Sequence, residues 1–447
     1  MPLILLNLAG GDCVADLERL ADDPGFSRII ERFELHHLSR PEKRRLRKRW
    51  RKAKARTIPS ASSVFRYLEG FSDPEKESER GYGKAYIPQP NKALLGLRRV
   101  NADLLASTYA RTPLESVTLD LDATIKEVEK KDALVCYKGF PAYQPLNVWC
   151  AELEWMVHSE FRDGNVPASF ENLRVFQEAL GMLPEGVRKV SFRAYSASYQ
   201  HDLLSYMAEG LHPEYGIIEF AVGVPVEAAI KVEINQLEEA DWKRLQVRHK
   251  KTKEWCDTSY EWAEVVHVPN RVAARASNPG YRYIVTREAV RQQLLPGTED
   301  QVKLGFPTAV MNEQRYKLYA MATNRKESGD EVIRWYRERC GKSEQAHDTL
   351  KNELAGSQLP SNKFGVNAAW WLITVIAMNL NSAMKSLVLA PALGKQWAKK
   401  RFKAIRYLLI NLPGRVVNHA RELWIKIGGT AALSRLREIR LRIVALA

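Results

Sequence analysis

Cysteine is scarce in this chain and widely scattered. The 447 residues contain five cysteines, none in a CxxC pair or a Cys/His cluster, namely Cys13, Cys136, Cys150, Cys256 and Cys340. This spacing excludes the common zinc-binding motifs. An odd number of dispersed thiols fits a reducing compartment, so we expect a cytoplasmic protein.

Long apolar runs are also missing. A membrane-spanning helix needs about 18 or more consecutive apolar residues, and no such run occurs. The apolar N-terminus from Met1 to Leu8 is too short to span a bilayer and carries no basic flank of the kind that signal peptides have. We therefore expect no membrane partner.

Positive charge, in contrast, is abundant. Lys and Arg number 68 against 53 Asp and Glu, which gives a formal net charge of +15. A surplus of this size indicates a polyanionic partner, nucleic acid first and an anionic membrane surface second. With 45% hydrophobic residues the chain can bury a core, and its length predicts roughly two to four domains.

Much of the positive charge lies in one short stretch. Ten of the fourteen residues from Lys43 to Arg56 are basic, and Trp50 is embedded among them. A helix that is basic around most of its circumference cannot pack into a core, but it can lie along DNA phosphates. A solvated charged linker is the alternative. The residues expected to contact DNA here are Lys43, Arg44, Arg45, Arg47, Lys48, Arg49, Arg51 and Lys52.

The pattern of apolar residues predicts a mixed α/β fold. Strand-like alternation at 117–125, 190–195 and 216–224 is separated by helical patterns at 169–183 and 201–210, which indicates a mixed sheet. Two β-like runs, at 260–268 and 281–286, predict a β-rich insertion. Helices are expected at 14–39, as one long element at 330–354, around Trp370, and in a basic tail from Lys395. The expected domains are 1–115, 116–225, 226–325, 326–392 and 393–447.

Two groups of carboxylates stand out as candidate ligands. Asp120 and Asp122 share one face of the first strand, because side chains on a strand alternate with period two. Paired carboxylates can hold Mg²⁺, although acids at a strand end are commonly just solvated. On the 330–354 helix, Glu344 would share its face with His347, Asp348 and Lys351, which is also the pattern of an ordinary salt-bridged helix surface.

Together these features resemble the DDE transposases of bacterial insertion sequences, in the group called DDE group 1. The resemblance covers roughly residues 10–420. The motifs that carry it are Leu119-Asp120-Leu121-Asp122-Ala123-Thr124, Phe161-Arg162-Asp163-Gly164-Asn165, Arg193-Ala194-Tyr195-Ser196-Ala197, Arg339-Cys340-Gly341-Lys342-Ser343-Glu344, Leu359-Pro360-Ser361, Phe364-Gly365-Val366-Asn367-Ala368-Ala369-Trp370 and Asn379-Leu380.

The resemblance implies a ribonuclease-H-like fold with two aspartates and one glutamate that bind two Mg²⁺ or Mn²⁺ ions for DNA strand cleavage and transfer. Asp122 matches the first aspartate, with Asp120 as a possible helper, and Glu344 matches the glutamate. Tyr336, Arg339 and Lys351 match the family's Tyr-Arg-Glu-Lys signature, which contacts DNA near the cut. The implied partners are terminal inverted repeats, target DNA and a second copy of the chain, in a nucleoid-associated complex.

The second aspartate is absent. Tyr195 occupies its position, and a phenol, neutral at pH 7, ligates Mg²⁺ poorly. Asp202 follows seven residues later, in the next predicted helix, and does not replace it. We therefore expect a transposase with impaired cleavage or, as an alternative, a catalytically inactive DNA-binding protein that occupies element ends. A metal-dependent phosphodiesterase acting on small substrates fits the net charge of +15 less well.

Overall fold

The computed structural model describes residues 1–52, 56–249, 251–267, 281–290, 306–419 and 422–446. Part of the basic stretch (residues 53–55) and the last residue of the predicted run 260–268 lie outside the described residues. The helices are α1 (Pro2–Ala9), α2 (Leu17–Ala21), α3 (Pro24–Leu35), α4 (Arg40–Lys52), α5 (Ala61–Glu69), α6 (Pro74–Ser78), α7 (Lys92–Tyr109), α8 (Asn172–Leu180), α9 (His201–Ala208), α10 (Ala228–Asn235), α11 (Gly329–Arg337), α12 (Lys342–Asp348), α13 (Phe364–Met384), α14 (Ala390–Leu393), α15 (Phe402–Ile405) and α16 (Thr430–Leu446).

A large mixed sheet forms the centre of the fold. The strands are β1 (Ser116–Ala123), β2 (Lys126–Glu127), β3 (Ala142–Tyr143), β4 (Leu146–Cys150), β5 (Trp155–Glu160), β6 (Lys189–Ala194), β7 (Glu219–Val224), β8 (Lys243–Arg248), β9 (Trp255–Val265), β10 (Arg282–Ala289), β11 (Thr308–Met311), β12 (Gln314–Thr323), β13 (Gly414–His419) and β14 (Glu422–Ile427). The main sheet has the order β5-β4-β1-β6-β7-β12-β10-β9-β8, with β11 paired to β12.

The first five strands of this order confirm the expected ribonuclease-H-like sheet. β5, β4 and β1 are antiparallel neighbours, whereas β1, β6 and β7 run parallel. Five consecutive residues of β1 are buried, as expected for a central strand with both faces covered. The β-rich region continues this sheet, because β12 pairs antiparallel with β7 and β10, β9 and β8 follow outward.

The helix α13 is the centre of the largest apolar cluster. Trp370 and Trp371 are each 1% exposed, and Asn379 accepts a hydrogen bond from the backbone N–H of Met156 on β5 over 2.8 Å. By length and composition alone, residues 364–393 would suffice to cross a membrane, at a mean hydropathy of 1.5, but 72% of that window is buried inside the protein. The expected buried helix around Trp370 is confirmed.

Several predicted elements are interrupted or differ in type. The helix expected over 14–39 breaks before α3, where Asp23 caps the new helix and Pro24 occupies its first position. The C-terminal tail contains, besides helices, the hairpin β13–β14, which the pattern of basic residues did not predict. Strand β5 was also missed, because its six residues are all buried and show no alternation.

Candidate active site

The carboxyl ends of two parallel strands form the floor of the site. β1 and β6 are in register, with Leu121 beside Ala194. The next residue along each strand is Asp122 on one side and Tyr195 on the other, so the register places these two side by side. A cleft of about 420 Å³ opens there and is lined by both side chains. The two sequence motifs that supplied Asp122 and Tyr195 therefore meet in the fold.

Asp120 lies one pleat further back and has a different partner. Its two carboxylate oxygens accept hydrogen bonds from Nε and Nη2 of Arg193, over 2.7 and 3.0 Å. Asp120 is 0% exposed and Arg193 1% exposed. A buried carboxylate with both oxygens held by a guanidinium is an ion-pair partner, and breaking such a pair leaves an uncompensated charge. In this structure both oxygens of Asp120 are engaged by Arg193, and a role of Asp120 in metal binding stays a prediction.

Glu344 reaches the cleft from a helix that follows a sharp break. α11 ends at Arg337 and α12 begins at Lys342, with Gly341 between them at φ 85°, in the left-handed region that favours glycine. The single helix predicted over 330–354 is therefore wrong. Glu344 Oε2 accepts a hydrogen bond from the Gly341 backbone N–H over 2.5 Å and so caps the new helix.

The three predicted catalytic residues form one cluster around an arginine. The Tyr195 hydroxyl donates a hydrogen bond to Glu344 Oε1 over 2.9 Å. The guanidinium carbon of Arg339 lies 3.5 Å from the centroid of the Tyr195 ring, and Arg339 Nη2 lies 4.0 Å from Asp122 Oδ2. The structure thus brings Asp122, Tyr195 and Glu344 together, while their catalytic roles stay predictions.

Arg339 is fully buried inside this cluster. It is 0% exposed, and none of its three guanidinium nitrogens has a hydrogen-bond partner in good geometry among the residues that the structure describes. A buried cation without hydrogen bonds is costly, so its two close electrostatic contacts, the Tyr195 ring face and the Asp122 carboxylate, have to offset that cost. Arg339 is therefore an internal charge of this cluster in the structure, and its contact with DNA stays a prediction.

The other two residues of the Tyr-Arg-Glu-Lys signature lie in different surroundings. Tyr336 is 3% exposed, and its hydroxyl lies 2.5 Å from the Tyr319 hydroxyl and 3.1 Å from the backbone oxygen of Ala194. Tyr336 therefore packs in the core, and its expected contact with DNA stays a prediction. Lys351 is half-buried, and burial together with the charge of Lys126 lowers its pKa. It is the one residue of the three that stays available to a DNA phosphate.

Burial and hydrogen bonding set the charges in the cleft. Burial raises the pKa of Asp122 to about 6, against the opposing effect of Arg339. Burial, together with the neighbouring Glu344, also raises the pKa of the Tyr195 phenol above its ordinary value. For Glu344, burial works in the same direction, but hydrogen bonds from the backbone and from Tyr195 outweigh it and lower the pKa. At neutral pH the cleft therefore holds two carboxylates, a neutral phenol and a guanidinium.

The side chains of Asp122, Tyr195 and Glu344 do not form a ligand set for two divalent cations. Two adjacent dications need a shared anionic ligand, and the side chain between Asp122 and Glu344 is a neutral phenol whose hydrogen is already donated to Glu344. A guanidinium occupies the space behind it. Within the described ranges, the only three carboxylate, cysteine or histidine ligands within 4.8 Å of one another are Asp12, Cys13 and Asp16, and there Asp16 accepts hydrogen bonds from the backbone of Asp12 and Cys13.

A directed chain of hydrogen bonds leads from the core to His347, which lies beside Asp122. The Trp371 indole N–H, which can only donate, bonds to Ser159 Oγ over 2.7 Å, and the Ser159 hydroxyl donates to Asn147 Oδ1 over 2.6 Å. Asn147 Nδ2 is therefore a donor toward His347 Nε2, 3.1 Å away. That nitrogen must accept, so the single proton of a neutral His347 ring sits on Nδ1.

His347 faces Asp122 with the nitrogen that carries the proton. Its Nδ1 lies 3.9 Å from Asp122 Oδ2, and burial lowers the pKa of the imidazole to about 4, so the ring is neutral near pH 7. The spacing had placed His347 on the same helix face as Glu344, but nothing in it indicated this role. The partners Asn147 and Ser159 come from β4 and β5, about two hundred residues earlier.

The family-like motif at residues 161–165 holds a loop against the cleft. Arg80 donates to both oxygens of Asp163 over 2.6 and 2.7 Å, and Asn165 Nδ2 donates to the backbone oxygens of Gly81 and Lys84 over 3.0 Å each. A Cβ on Gly164 would lie 2.6 Å from the backbone oxygen of Leu134, so only glycine fits there. The role of this motif in the structure is therefore to hold the loop of residues 80–84 in place.

The predicted DNA-contacting residues from Lys43 to Lys52 all lie on α4. No residue of this helix is buried, and within it Leu46 and Trp50 are half-covered. Arg47 is paired with Glu31 on α3 over 3.0 Å. The basic surface is thus free of core contacts, as a phosphate-binding surface requires, while its binding of DNA stays a prediction.

Comparison with known proteins gives a family match that covers nearly the whole chain. The family described as Transposase DDE domain group 1 matches residues 2–298 and 307–445. No curated protein matches the chain. The chain is similar in structure to a piggyBac transposase synaptic complex with hairpin DNA, at 9% identity and a TM-score of 0.36, over 66% of this chain and 52% of that one. It is also similar to a Mos1 transposase paired-end complex with the left transposon end, at 12% identity and a TM-score of 0.16, over 44% and 56%.

The chain thus spans about half the length of these two solved transposases, and at such scores the likeness is too loose to transfer residues. The family match covers the strand ends that carry Asp122 and Tyr195 and the helix that carries Glu344. This chain belongs to the family Transposase DDE domain group 1.

Proposed function

We propose that this chain is the DNA-binding transposase of a bacterial insertion sequence, and that its strand cleavage is impaired. The observation that carries the proposal is the position of Tyr195, beside Asp122 and hydrogen-bonded to Glu344. In the mechanism that the family implies, three carboxylates hold two Mg²⁺ or Mn²⁺ ions at the cut site. A neutral phenol with a buried guanidinium behind it removes one of those negative charges.

Duplex DNA is the proposed partner. The net charge of +15 and the solvent-facing basic helix α4 favour a polyanion, and the half-buried Lys351 adds a cation beside the cleft. Phosphate contacts of this kind position a protein on DNA without specifying sequence. Terminal inverted repeats and target DNA are the specific forms that we propose, with two copies of the chain bridging two element ends.

A catalytically inactive protein that occupies element ends is the second candidate. Arg339 favours it, because its guanidinium lies 4.0 Å from Asp122 and already supplies positive charge inside the cleft. Such a protein would bind the ends and block active subunits without cutting. The two candidates share the DNA partner and differ only in chemistry.

A binding assay and a cleavage assay test these proposals together. We expect the protein to bind duplexes from the DNA that flanks its gene more tightly than shuffled duplexes. With Mg²⁺ or Mn²⁺, we expect Tyr195→Asp to cleave them roughly a thousandfold faster than the wild type, since charge stabilisation at reacting oxygens contributes several kcal/mol.

The double variant Tyr195→Asp with Glu344→Gln is the control and should not cleave. Cleavage by the wild type as fast as by Tyr195→Asp would refute the impairment. Tight binding without cleavage by either protein would favour the second candidate. Equal affinity for flanking and shuffled DNA would refute the recognition of element ends.

A further inference from the structure

The N-terminal helices and the C-terminal hairpin meet in one place, although about 360 residues separate them. α3 packs against β13 at Gly25, where an added Cβ would lie 2.9 Å from Cγ2 of Val416. A glycine at this point lets the hairpin approach the helix backbone closely. The close approach leaves an open groove between α3, α4 and the hairpin.

This groove is strongly basic. It has a volume of about 520 Å³ and is lined by Arg28, Glu31, Arg32, Leu35, His36, Lys43, Arg47, Asn418 and Leu423. Four of these residues are Arg or Lys, and the single acid, Glu31, is paired with Arg47 over 3.0 Å. The groove therefore has a surplus of positive charge on two helices that face each other.

The hairpin supplies the third wall of the groove with polar and apolar side chains. Asn418 pairs with Leu423 across the two strands, so both point to the same face, the one that lines the groove. The opposite face carries Arg415 paired with Lys426, and Trp424, which is 51% exposed. A two-stranded ribbon with basic side chains on its free face is a form that can follow a DNA groove.

We propose that this groove binds the sugar-phosphate backbone of double-stranded DNA, and that α3, α4 and the hairpin act as one composite DNA-binding unit. The inference deepens the proposed function and rests on it. Charge complementarity favours this occupant, because cations without competing acids attract a polyanion. Among the described residues that line the groove there is no Phe, Tyr or Trp, and the imidazole of His36 is the one ring on which an unpaired base could stack, which favours the backbone of a duplex over a single strand.

The experiment measures the salt dependence of binding to a fluorescent duplex. The groove variant is Arg28→Gln with Arg32→Gln, and the matched control is Arg437→Gln with Arg440→Gln on α16. All four residues are exposed, so neither change removes a buried contact, and both remove two positive charges. If each groove arginine neutralises one phosphate, the slope of log K against log salt should flatten by about 1.8, or about 0.9 per contact. The control should keep the wild-type slope.

A second variant tests the hairpin wall. Asn418→Glu places a negative charge in the groove without removing a cation, and it should weaken duplex binding at low salt. Two outcomes would overturn the proposal. One is an unchanged salt slope of duplex binding for the arginine variant. The other is that the arginine variant loses affinity only for single-stranded RNA or anionic vesicles and binds the duplex as the wild type does. A wild type that binds no duplex at all would instead refute the proposed function, so the two failures are distinguishable.

Discussion

Replacing Tyr195 by aspartate tests how charge is shared in the cleft. In the wild type, the carboxylate of Asp122 lies 4.0 Å from Arg339, and no other carboxylate of the described residues is as close to that guanidinium. A unit pair at this distance interacts by about 4 kcal/mol at an effective dielectric constant of 20. A second carboxylate at position 195 would share the guanidinium, whose carbon lies 3.5 Å from the present ring centroid. Asp122 would then be freer to hold a divalent cation.

The expected gain is smaller than the gross Coulomb energy, because burying a new carboxylate has a desolvation cost. If half of the Coulomb energy of about 4 kcal/mol remains after this cost, the free energy of Mn²⁺ binding improves by about 2 kcal/mol, which corresponds to roughly 30-fold tighter binding. Titration calorimetry, or the electron paramagnetic resonance signal of free Mn²⁺, measures this affinity without DNA or catalysis.

The control for this change is Tyr195→Asn, which has nearly the same size as aspartate but no charge. We expect Mn²⁺ to bind the asparagine variant about as weakly as it binds the wild type. If asparagine strengthened binding as much as aspartate, removal of the bulky ring would be the cause and the charge argument would fail. Wild-type protein that bound two Mn²⁺ ions tightly would refute the reasoning entirely.

Stability and spectroscopy offer three further tests on metal-free protein. Burial raises the pKa of Asp122 from 3.8 to about 6, so unfolding releases a proton in this range. The free energy of unfolding should therefore fall by at most about 3 kcal/mol as the pH rises from about 4 to about 6. The stability of Asp122→Asn should lack this component, and the same pH dependence of melting in the wild type and the variant would contradict it. Nitrogen-15 spectra should show His347 protonated on Nδ1, and Asn147→Asp should move the proton to Nε2; an Nε2–H ring in the wild type would contradict the hydrogen-bond chain. Tyr195→Phe loses only the hydrogen bond to Glu344, whereas Tyr195→Leu loses that bond and the cation–π contact, so Tyr195→Leu should be less stable than Tyr195→Phe by about 1–2 kcal/mol, and equal melting of the two variants would argue against the cation–π contact.

The parts of the site that were predictable from sequence are those fixed by local geometry. Period two placed Asp122 on a strand, and parallel pairing of β1 with β6 follows from the alternation of strands and helices. Once the strands pair in register, Asp122 and Tyr195 meet without further information. The match of Glu344 to a family motif then supplied the third member.

The parts that were not predictable depend on contacts between distant segments. Gly341 interrupts an otherwise helical pattern, and isolated glycines are tolerated in helices, so the break could not be inferred. Tyr336 is held by the backbone oxygen of Ala194 on β6, 142 residues earlier in the chain, and by Tyr319 on β12, 17 residues earlier, and Arg339 is covered by the ring of Tyr195. The resemblance to the family's Tyr-Arg-Glu-Lys signature implied DNA contacts for both residues, and nothing in the sequence indicated their burial, because arginine is seldom fully buried.

The β-rich region shows the same limit at the level of the fold. Alternation in 260–268 and 281–286 predicted strands, and β9 and β10 are present there. Whether such strands form a separate unit or extend an existing sheet is decided by edge pairing. Here the open edge of β7 accepts β12, so the insertion closes an edge that would otherwise expose unpaired backbone groups.

The contacts of Tyr195 indicate why the fold tolerates this residue in place of a carboxylate. Arg339 lies fully buried beside the position, where an aspartate would be its natural counter-ion. A small apolar residue there would leave the guanidinium without any contact on that side, whereas the ring of Tyr195 covers it and the hydroxyl satisfies an oxygen of Glu344. The cleft thus keeps its packing and its internal hydrogen bonds and loses only one negative charge. Folding and the basic surface on α4 do not depend on that charge, but any chemistry that needs three carboxylates does.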